Sequence, residues 1–275
     1  MNWLKIIGPG LAVAVLIGIT TSQSIASESL RVGGTGAALG LIRALCAGFA
    51  ESHEGLVVKV PRSLGSTGGI KALLAGKLDL AVSSRPLRKN ERQDGVREIL
   101  IGRTPLVFVT SRSDLDGNIN SADVVAMFGL ASRTWPDGMR AYIVVRPKGE
   151  SDFHLLAKGI SGMEAALNRA WAKPGIPLAY TDQDNLDRAE SLPGSLAMAA
   201  LTTVITEKRR VARLALDRVP ATLETIGNGT YRLEKPIYLM SAPGRGPVPT
   251  DFVAFVQRPQ GHAILLASGI LPVTP

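Results

Sequence analysis

Along the chain, short runs of apolar residues alternate with longer stretches in which apolar residues recur at helical spacing. The short runs predict β-strands at residues 30–33, 56–60, 78–82, 105–110, 142–145 and 236–240, with another near residue 214. Helical spacing predicts a helix over 37–52, another through Ile70 and Leu73, and a last helix from Thr250 that is interrupted at Pro259. Residues 195–205 fit either element. Alternation of this kind predicts an α/β fold with a largely parallel, buried sheet.

The first residues have the pattern of a secretory signal peptide. Lys5 supplies positive charge, an apolar run follows over 6–19, and Ser24-Ile25-Ala26 forms the small-x-small pattern of a cleavage site. The alternative is a membrane anchor, but the uninterrupted apolar stretch is shorter than the ~20 residues that a span needs. We therefore expect a signal peptide over residues 1–26, cleavage after Ala26 and release into the periplasm.

Charge and cysteine content narrow the classes of function. The formal net charge of +8 suits an anionic ligand through long-range steering, and it would suit nucleic acid equally well. However, the Lys and Arg residues are scattered, and aromatic residues are too few, at 5%, to form a stacking platform, so no nucleic-acid partner is expected. The single cysteine, Cys46, excludes an internal disulfide, and its place on an apolar helix face predicts core packing.

Signatures of catalysis and of metal binding are absent from the sequence. It contains no G-x-S-x-G motif, and none of its three histidines stands at metal-ligand spacing from another. Gly76-Lys77 is followed by Leu78, so it is not the phosphate-binding loop of nucleotide hydrolases. The sequence therefore predicts no enzymatic activity, no metal and no cofactor.

Three segments rich in glycine and hydroxyl residues each lie between a predicted strand and a predicted helix. They are GGTGA at 33–37, SLGSTGG at 63–69 and RPKGES at 146–151. The start of a helix carries unpaired N–H groups and a partial positive charge, and glycine lets a ligand approach the backbone closely. Each segment alone is also explained by an ordinary helix cap. Because ligands of open α/β sheets bind at the carboxyl ends of strands, the three together predict an oxyanion site.

The second of these segments begins a longer stretch with a family likeness. Residues 63–87, SLGSTGGIKALLAGKLDLAVSSRPL, resemble the signature of the periplasmic phosphate-binding receptors that serve ABC phosphate importers. That signature is a Gly-Ser-x-Gly-Gly loop, a helix, and a strand that ends in a Ser-x-x-Pro-Leu turn. Looser likenesses cover MFGLASRTWPDG at 127–138, ESLPGSLAMA at 190–199 and the closing segment 252–273, and the position of Arg146 resembles that of the family's Arg-x-x-Gly-Ser anion loop.

The resemblance implies a fold and a function. The expected fold is the two-lobed type II periplasmic-binding-protein fold, in which each lobe is a mainly parallel sheet flanked by helices and two segments cross between the lobes. It implies that residues 27–112 and 207–275 form lobe 1 and residues 113–206 form lobe 2. The implied function is capture of phosphate or a similar small oxyanion by a monomer that partners an inner-membrane ABC permease.

The resemblance also assigns binding roles by position. Ser66 would donate its hydroxyl and backbone N–H to the anion, and Arg146 would provide a guanidinium fork unless it is a surface or interlobe ion-pair residue. A helix start would add donors from the first segment, and neighbours in the other loops complete the set. These further candidates are Thr35, Gly36, Ala37, Thr67, Ser84, Arg85, Glu150 and Ser151.

Two of these positions depart from the family. Ser84 stands where the phosphate receptors have an Asp that accepts the ligand's proton and so excludes sulfate. Glu150 stands where the family has a Ser; it would either take over the acceptor role or only favour the positive end of the next helix from outside the site. The alternatives are therefore another oxyanion as ligand, or a secreted sensor or structural protein of the same fold with an altered or lost anion site.

Overall fold

The computed structural model describes residues 28–92, 95–130 and 133–273. The predicted signal peptide and its cleavage site after Ala26 lie outside these residues. Within them, no helix combines the length and the apolar character that crossing a lipid bilayer would require.

Strands and helices alternate along the described residues. The strands are β1 Ser29–Gly34, β2 Val57–Lys59, β3 Leu80–Ser83, β4 Arg97–Thr110, β5 Asn118–Ile119, β6 Tyr142–Ile143, β7 Ser195–Ala200, β8 Ala212–Leu216, β9 Glu234–Ser241 and β10 Leu271–Pro272. The helices are α1 Leu39–Ala50, α2 Gly65–Leu74, α3 Ser121–Phe128, α4 Ser151–Gly159, α5 Met163–Ala172, α6 Asp182–Ser191, α7 Leu201–Thr206, α8 Leu223–Gly227, α9 Pro247–Val256 and α10 Pro259–Ala267. A short 3-10 turn, Gly36–Ala38, precedes α1.

Strand β4 joins the two halves of the sheet. The strand order is β2-β1-β3-β9-β4-β7-β6, with β8 and β10 also paired to β4, and β5 paired to β8. The pairs β1–β2, β1–β3, β5–β8 and β6–β7 are parallel, whereas each pair recorded for β4 or β9 is antiparallel. The sheet is therefore mixed where the sequence predicted a mainly parallel one, because the two long strands that link the halves run against their neighbours.

Two large hydrophobic cores lie in separate lobes, and a smaller third core around Ile70 and Met240 packs beside β3 and β9. Lobe 1 is built around a core that contains Phe49 and Phe252, and lobe 2 around a core drawn from residues 106–233. The chain leaves lobe 1 inside β4, between Ile101 of the first core and Leu106 of the second. It returns after Leu233, where β9 begins. This is the predicted two-lobed architecture with two crossings; the exact boundaries at 112/113 and 206/207 stay a prediction.

Most strands and helices lie close to the positions that the sequence predicted for them. The ambiguous stretch 195–205 contains both elements, strand β7 followed by helix α7. The strand predicted at 105–110 is longer, because β4 begins at Arg97 and pairs with β9 before it enters lobe 2. Cys46 is 3% exposed in the first core, and burial raises the pKa of its thiol to about 12, which fits the predicted packing role. Helix α6 was not predicted, and it carries residues of the candidate site.

Candidate functional site

The first Gly-rich segment places its backbone against lobe 2. Gly36 lies in the turn between β1 and α1, and a methyl group added there would lie 2.7 Å from Asp182 Oδ2 and 2.6 Å from Gln183 Oε1 on α6. It would also lie 2.9 Å from Ser63 Oγ of the second segment. A larger residue at position 36 would have to displace these side-chain ends, because the two lobes and two of the three predicted segments meet at this point.

Three predicted ligand residues form a connected group of hydroxyls in lobe 1. The Thr35 and Ser84 hydroxyls are 2.9 Å apart and share a hydrogen bond, and both residues are buried. The backbone N–H of Ser84 donates to Ser66 Oγ at 3.0 Å. Because a hydroxyl can donate while it accepts, the Ser66 proton stays free to be directed toward a ligand. The sequence predicted that these three residues would come together, and they do.

Two other predicted residues make their contacts within lobe 1. The Arg85 guanidinium forms a two-pronged ion pair with Glu91, with N–O distances of 2.6 and 2.7 Å. It also donates to Thr67 Oγ1 at 3.0 Å. This pair organises the turn after β3, and a ligand role for Arg85 and Thr67 stays a prediction.

The Arg85–Glu91 pair gives a testable dependence of stability on pH. The hydrogen bond from Arg85 lowers the pKa of Glu91 from 4.5 to about 2, although burial opposes the shift. Because the unfolded chain binds this proton more readily, the pair stabilises the fold above the ordinary carboxyl pKa and loses its effect as pH falls toward 2. We expect Glu91→Gln to lower the free energy of unfolding by about 1–3 kcal/mol near neutral pH. Urea denaturation at several pH values should show this difference shrinking below pH 4.5; a difference that grew in acid would contradict the assignment.

The third predicted segment supplies a buried guanidinium. Arg146 is only 6% exposed; Nη1 donates to Ala179 O at 3.1 Å, and Nη2 to Glu150 Oε2 at 3.4 Å. Glu150 precedes α4 and its side chain is 38% exposed, so it meets Arg146 from the solvent side. Ser151 is the first residue of α4. Two roles are possible for Glu150: it accepts a ligand's proton, or it only favours the helix start. Comparing the phosphate and sulfate affinities of Glu150→Gln separates them, because unchanged selectivity would rule out the acceptor role.

Arg146 belongs to a buried cluster of four charged residues, and it is the only one of the four that the sequence predicted as a site residue. Lys235 of β9 is 2% exposed, and its Nζ lies 2.5 Å from Asp152 Oδ1 and 3.8 Å from Asp182 Oδ1. Asp182 Oδ2 in turn lies 3.6 Å from Arg146 Nη2. We call Arg146, Asp152, Asp182 and Lys235 the buried charge cluster.

The members of the buried charge cluster hold one another in the ionised form. Burial alone would lower the pKa of Lys235, but the two carboxylates outweigh it and raise that pKa. Burial would raise the pKa of Asp182, but Lys235, Arg146 and the backbone N–H of Ala37 hold it below its usual value. The Asp182 carboxylate of lobe 2 also lies against the helix start of lobe 1, because a methyl group added to Gly36 would be 2.7 Å from its Oδ2.

Further hydrogen bonds join the lobes around this cluster. Gln183 Nε2 donates to Gly36 O at 3.0 Å and to Glu207 Oε1 at 2.6 Å, and Thr203 Oγ1 donates to Ala37 O at 2.8 Å. A cavity of about 520 Å³ opens beside them. Residues from both lobes line it: Leu39, Arg43, Arg62, Ser63, Thr181, Gln183, Asp184 and Asp187. Of the three predicted segments, 63–69 contributes Ser63 to the lining of this cleft.

The donors around this cleft suit an anion better than a metal ion. They are two buried cationic side chains, several hydroxyls and backbone N–H groups. In the parts of the chain that the structure describes, no group of three or more His, Cys, Asp or Glu side chains is arranged to hold a metal ion.

The two-lobed fold agrees with a family comparison. A family model described as a PBP superfamily domain matches residues 20–260, so the chain belongs to this superfamily. A comparison with curated proteins found no match.

Solved structures share the fold at low sequence identity. A Clostridium perfringens protein solved with bound phosphate, and assigned as a phosphate ABC transporter substrate-binding protein, aligns with a TM-score of 0.76 and 15% identity over 90% of this chain and 100% of that one. An ABC-type phosphate transport receptor from Vibrio cholerae gives a TM-score of 0.63 and 16% identity, with the same coverage. CbnR, a LysR family transcriptional regulator, gives 0.54 and 16% over 83% of this chain and 68% of its own. The type II periplasmic-binding-protein fold is therefore confirmed.

Proposed function

We propose that this protein is a periplasmic receptor that captures phosphate or a similar small oxyanion between its two lobes. The observation that carries the proposal is the meeting of two buried cationic side chains, Arg146 and Lys235, around Asp182, whose Oδ2 lies against Gly36 at the helix start of lobe 1. Such a combination favours a tetrahedral anion, because guanidinium, ammonium and backbone N–H groups all donate to it. The hydroxyls of Thr35, Ser66 and Ser84 would complete the lobe 1 side.

The cleft suggests how such a ligand would be held. The chain crosses between the lobes at two places only in the described residues, inside β4 and before β9, so a hinge at these crossings would let the lobes close on the anion. Closure would remove water from the anion and so strengthen its charge-assisted hydrogen bonds. The Clostridium perfringens and Vibrio cholerae proteins, described respectively with bound phosphate and as a phosphate transport receptor, support the same ligand class here.

The cellular role follows from the same proposal. A receptor released into the periplasm after cleavage at Ala26 would deliver its ligand to an inner-membrane ABC permease, as a monomer and without chemical change of the ligand. Docking on the permease would distinguish the closed, loaded form from the open form.

Selectivity between oxyanions is expected to be modest on the lobe 1 side. Ser84 can donate or accept, and its hydroxyl already shares a hydrogen bond with Thr35. A carboxylate that could accept the proton of phosphate is missing at this position, so sulfate is not rejected there. A buried donor without an acceptor costs about 1–3 kcal/mol. Ser84 in place of the family Asp is therefore expected to change the ratio of phosphate to sulfate affinity by about 10- to 100-fold.

Titration calorimetry of the purified protein with phosphate, sulfate, molybdate and small carboxylates tests the proposal. We expect binding of one tetrahedral oxyanion per chain, with phosphate among the ligands and carboxylates weaker. Binding of carboxylates alone would contradict the oxyanion assignment, and binding of none of these anions would favour the second candidate.

The second candidate is a secreted sensor or structural protein of the same fold with an altered anion site. The buried charge cluster favours it in one respect, since its two carboxylates already balance its two cations. The fold also serves proteins other than transport receptors, because CbnR is a transcriptional regulator. Neighbouring genes for a permease and an ATPase would favour transport over sensing.

A further inference from the structure

The buried charge cluster contains a carboxylate at the place where the proposed ligand would bind. Asp182 lies on α6 of lobe 2, yet its Oδ2 lies against the helix start of lobe 1, where a methyl group added to Gly36 would be only 2.7 Å away. Its two oxygens are divided between the cations, with Oδ2 3.6 Å from Arg146 Nη2 and Oδ1 3.8 Å from Lys235 Nζ. The carboxylate thus lies between the same two cations, and beside the same helix start, that an oxyanion would use.

Charge balance argues that this carboxylate and the ligand compete. Arg146 and Lys235 contribute two formal positive charges, and Asp152 and Asp182 contribute two negative ones, all on residues at most 8% exposed. An entering phosphate would leave the cluster with one or two uncompensated negative charges in a poorly solvated place, which is strongly unfavourable. Removal of the Asp182 carboxylate from the cluster would restore the balance for a singly charged anion.

The remaining donors point in the same direction. Lys235 Nζ is held 2.5 Å from Asp152 Oδ1, so Asp152 stays with its own partner. Arg146 Nε is buried beside Asp182 and has no hydrogen-bond partner among the described residues. A carboxylate offers two oxygens and a tetrahedral anion offers four, so a phosphate in this place could also accept from Arg146 Nε.

We infer that the Asp182 carboxylate is an internal competitor of the ligand, occupying the anion position until an oxyanion displaces it. This inference rests on the proposed function and goes further, because it names the group that limits affinity. Since α6 belongs to lobe 2, the same carboxylate also links the two lobes while it occupies the site.

Asp182→Asn tests the inference, with calorimetric titration of phosphate near neutral pH. The substitution keeps the size of the side chain and removes its charge, so we expect phosphate to bind about ten-fold tighter or more than to the unchanged protein. Without ligand the variant should melt at a lower temperature, because one buried cation loses its partner. Added phosphate should then raise the melting temperature of the variant more than that of the unchanged protein.

Two matched variants separate displacement from a general effect of charge. Asp251→Asn makes the same change on the exposed face of α9 and should leave phosphate affinity within about two-fold, since solvent screens such a charge. Asp152→Asn removes a buried charge from the same cluster without clearing the position between Arg146 and the helix start, and it should strengthen binding less than Asp182→Asn does. Equal effects of the two cluster variants would overturn the displacement of Asp182.

The remaining outcomes distinguish this inference from the proposed function. Phosphate binding to the unchanged protein, with equal or weaker binding to folded Asp182→Asn, would sink the inference and leave the receptor assignment intact. If phosphate bound only to Asp182→Asn and not to the unchanged protein, both the inference and the receptor assignment would be supported. If neither protein bound phosphate or sulfate, the receptor assignment would itself be wrong, and the inference would fall with it.

Discussion

Lys235→Met is expected to lower the free energy of unfolding by about 3–5 kcal/mol, because it leaves two buried carboxylates with one cation. The Lys235 ammonium lies 2.5 Å from Asp152 and 3.8 Å from Asp182, and its side chain is 3% exposed. Methionine has a similar length and keeps the packing of the aliphatic chain, so the loss of charge dominates the effect. Urea denaturation followed by circular dichroism measures the change.

Two further variants show whether the cost of Lys235→Met comes from unpaired charge. Lys158→Met makes the same substitution on the exposed surface of α4 and should change stability by no more than about 0.5 kcal/mol. The double variant Asp152→Asn with Lys235→Met removes a tight ion pair as a unit and should recover a large part of the loss. A Lys235→Met protein as stable as Lys158→Met would mean that the cluster is solvated and that the site is not closed.

The fold and the lobe 1 side of the site could be predicted because their signals are local. Thr35 and Ser66 stand in Gly-rich segments between a predicted strand and a predicted helix, and the family resemblance of residues 63–87 identified Ser66 and Ser84 as binding candidates. Their convergence follows from a general rule, because the carboxyl ends of neighbouring parallel strands meet at one edge of the sheet. The parallel pair β1–β3 brings Thr35 beside Ser84 in this way.

Helix α6 was missed because its buried face carries polar residues. Asp182, Asn185, Leu186 and Ala189 are the buried positions, at helical spacing, but only two of them are apolar. A search for apolar periodicity cannot detect such a face. The polar members are buried because they have partners elsewhere in the fold: Asp182 meets Arg146 and Lys235, and Asn185 donates to Met198 O at 2.7 Å.

The position of Lys235 in its strand is a weak sequence signal that could have predicted its burial. Burial in β9 alternates strictly from Glu234 to Leu239, so Lys235, Ile237 and Leu239 face the interior. A lysine at an inward position of a strand requires a carboxylate partner. The sequence could not name that partner, since Asp152 is far away along the chain and contact requires the return crossing before β9.

Arg85 makes a contact that the sequence did not predict. Its place next to Ser84 suggested a second cation for the anion, but its guanidinium forms a two-pronged pair with Glu91, six residues later. A carboxylate at that short distance competes with any ligand for the guanidinium. Arg146, by contrast, lies at 3.4 and 3.6 Å from its carboxylates and keeps one donor without a partner among the described residues.

This difference makes Arg146→Gln the variant with the largest expected effect on binding. We expect phosphate affinity to fall by about 100-fold or more, since each charge-assisted hydrogen bond contributes about 1.5–3 kcal/mol and the guanidinium is 6% exposed. Arg146→Lys keeps the charge but not the planar fork, so it should recover only part of the affinity. Calorimetric titration of folded variants, checked by circular dichroism, gives these values.

The control for Arg146→Gln is Arg92→Gln, which makes the same substitution in a side chain that is 55% exposed and paired with Glu98 in lobe 1. Because an exposed charge acts on the ligand only through screened, long-range attraction, Arg92→Gln should change affinity by no more than about two-fold. If the two variants weakened phosphate binding equally, the general positive charge of the protein would explain the affinity. The site would then lie elsewhere than between the helix start at Ala37 and the guanidinium of Arg146.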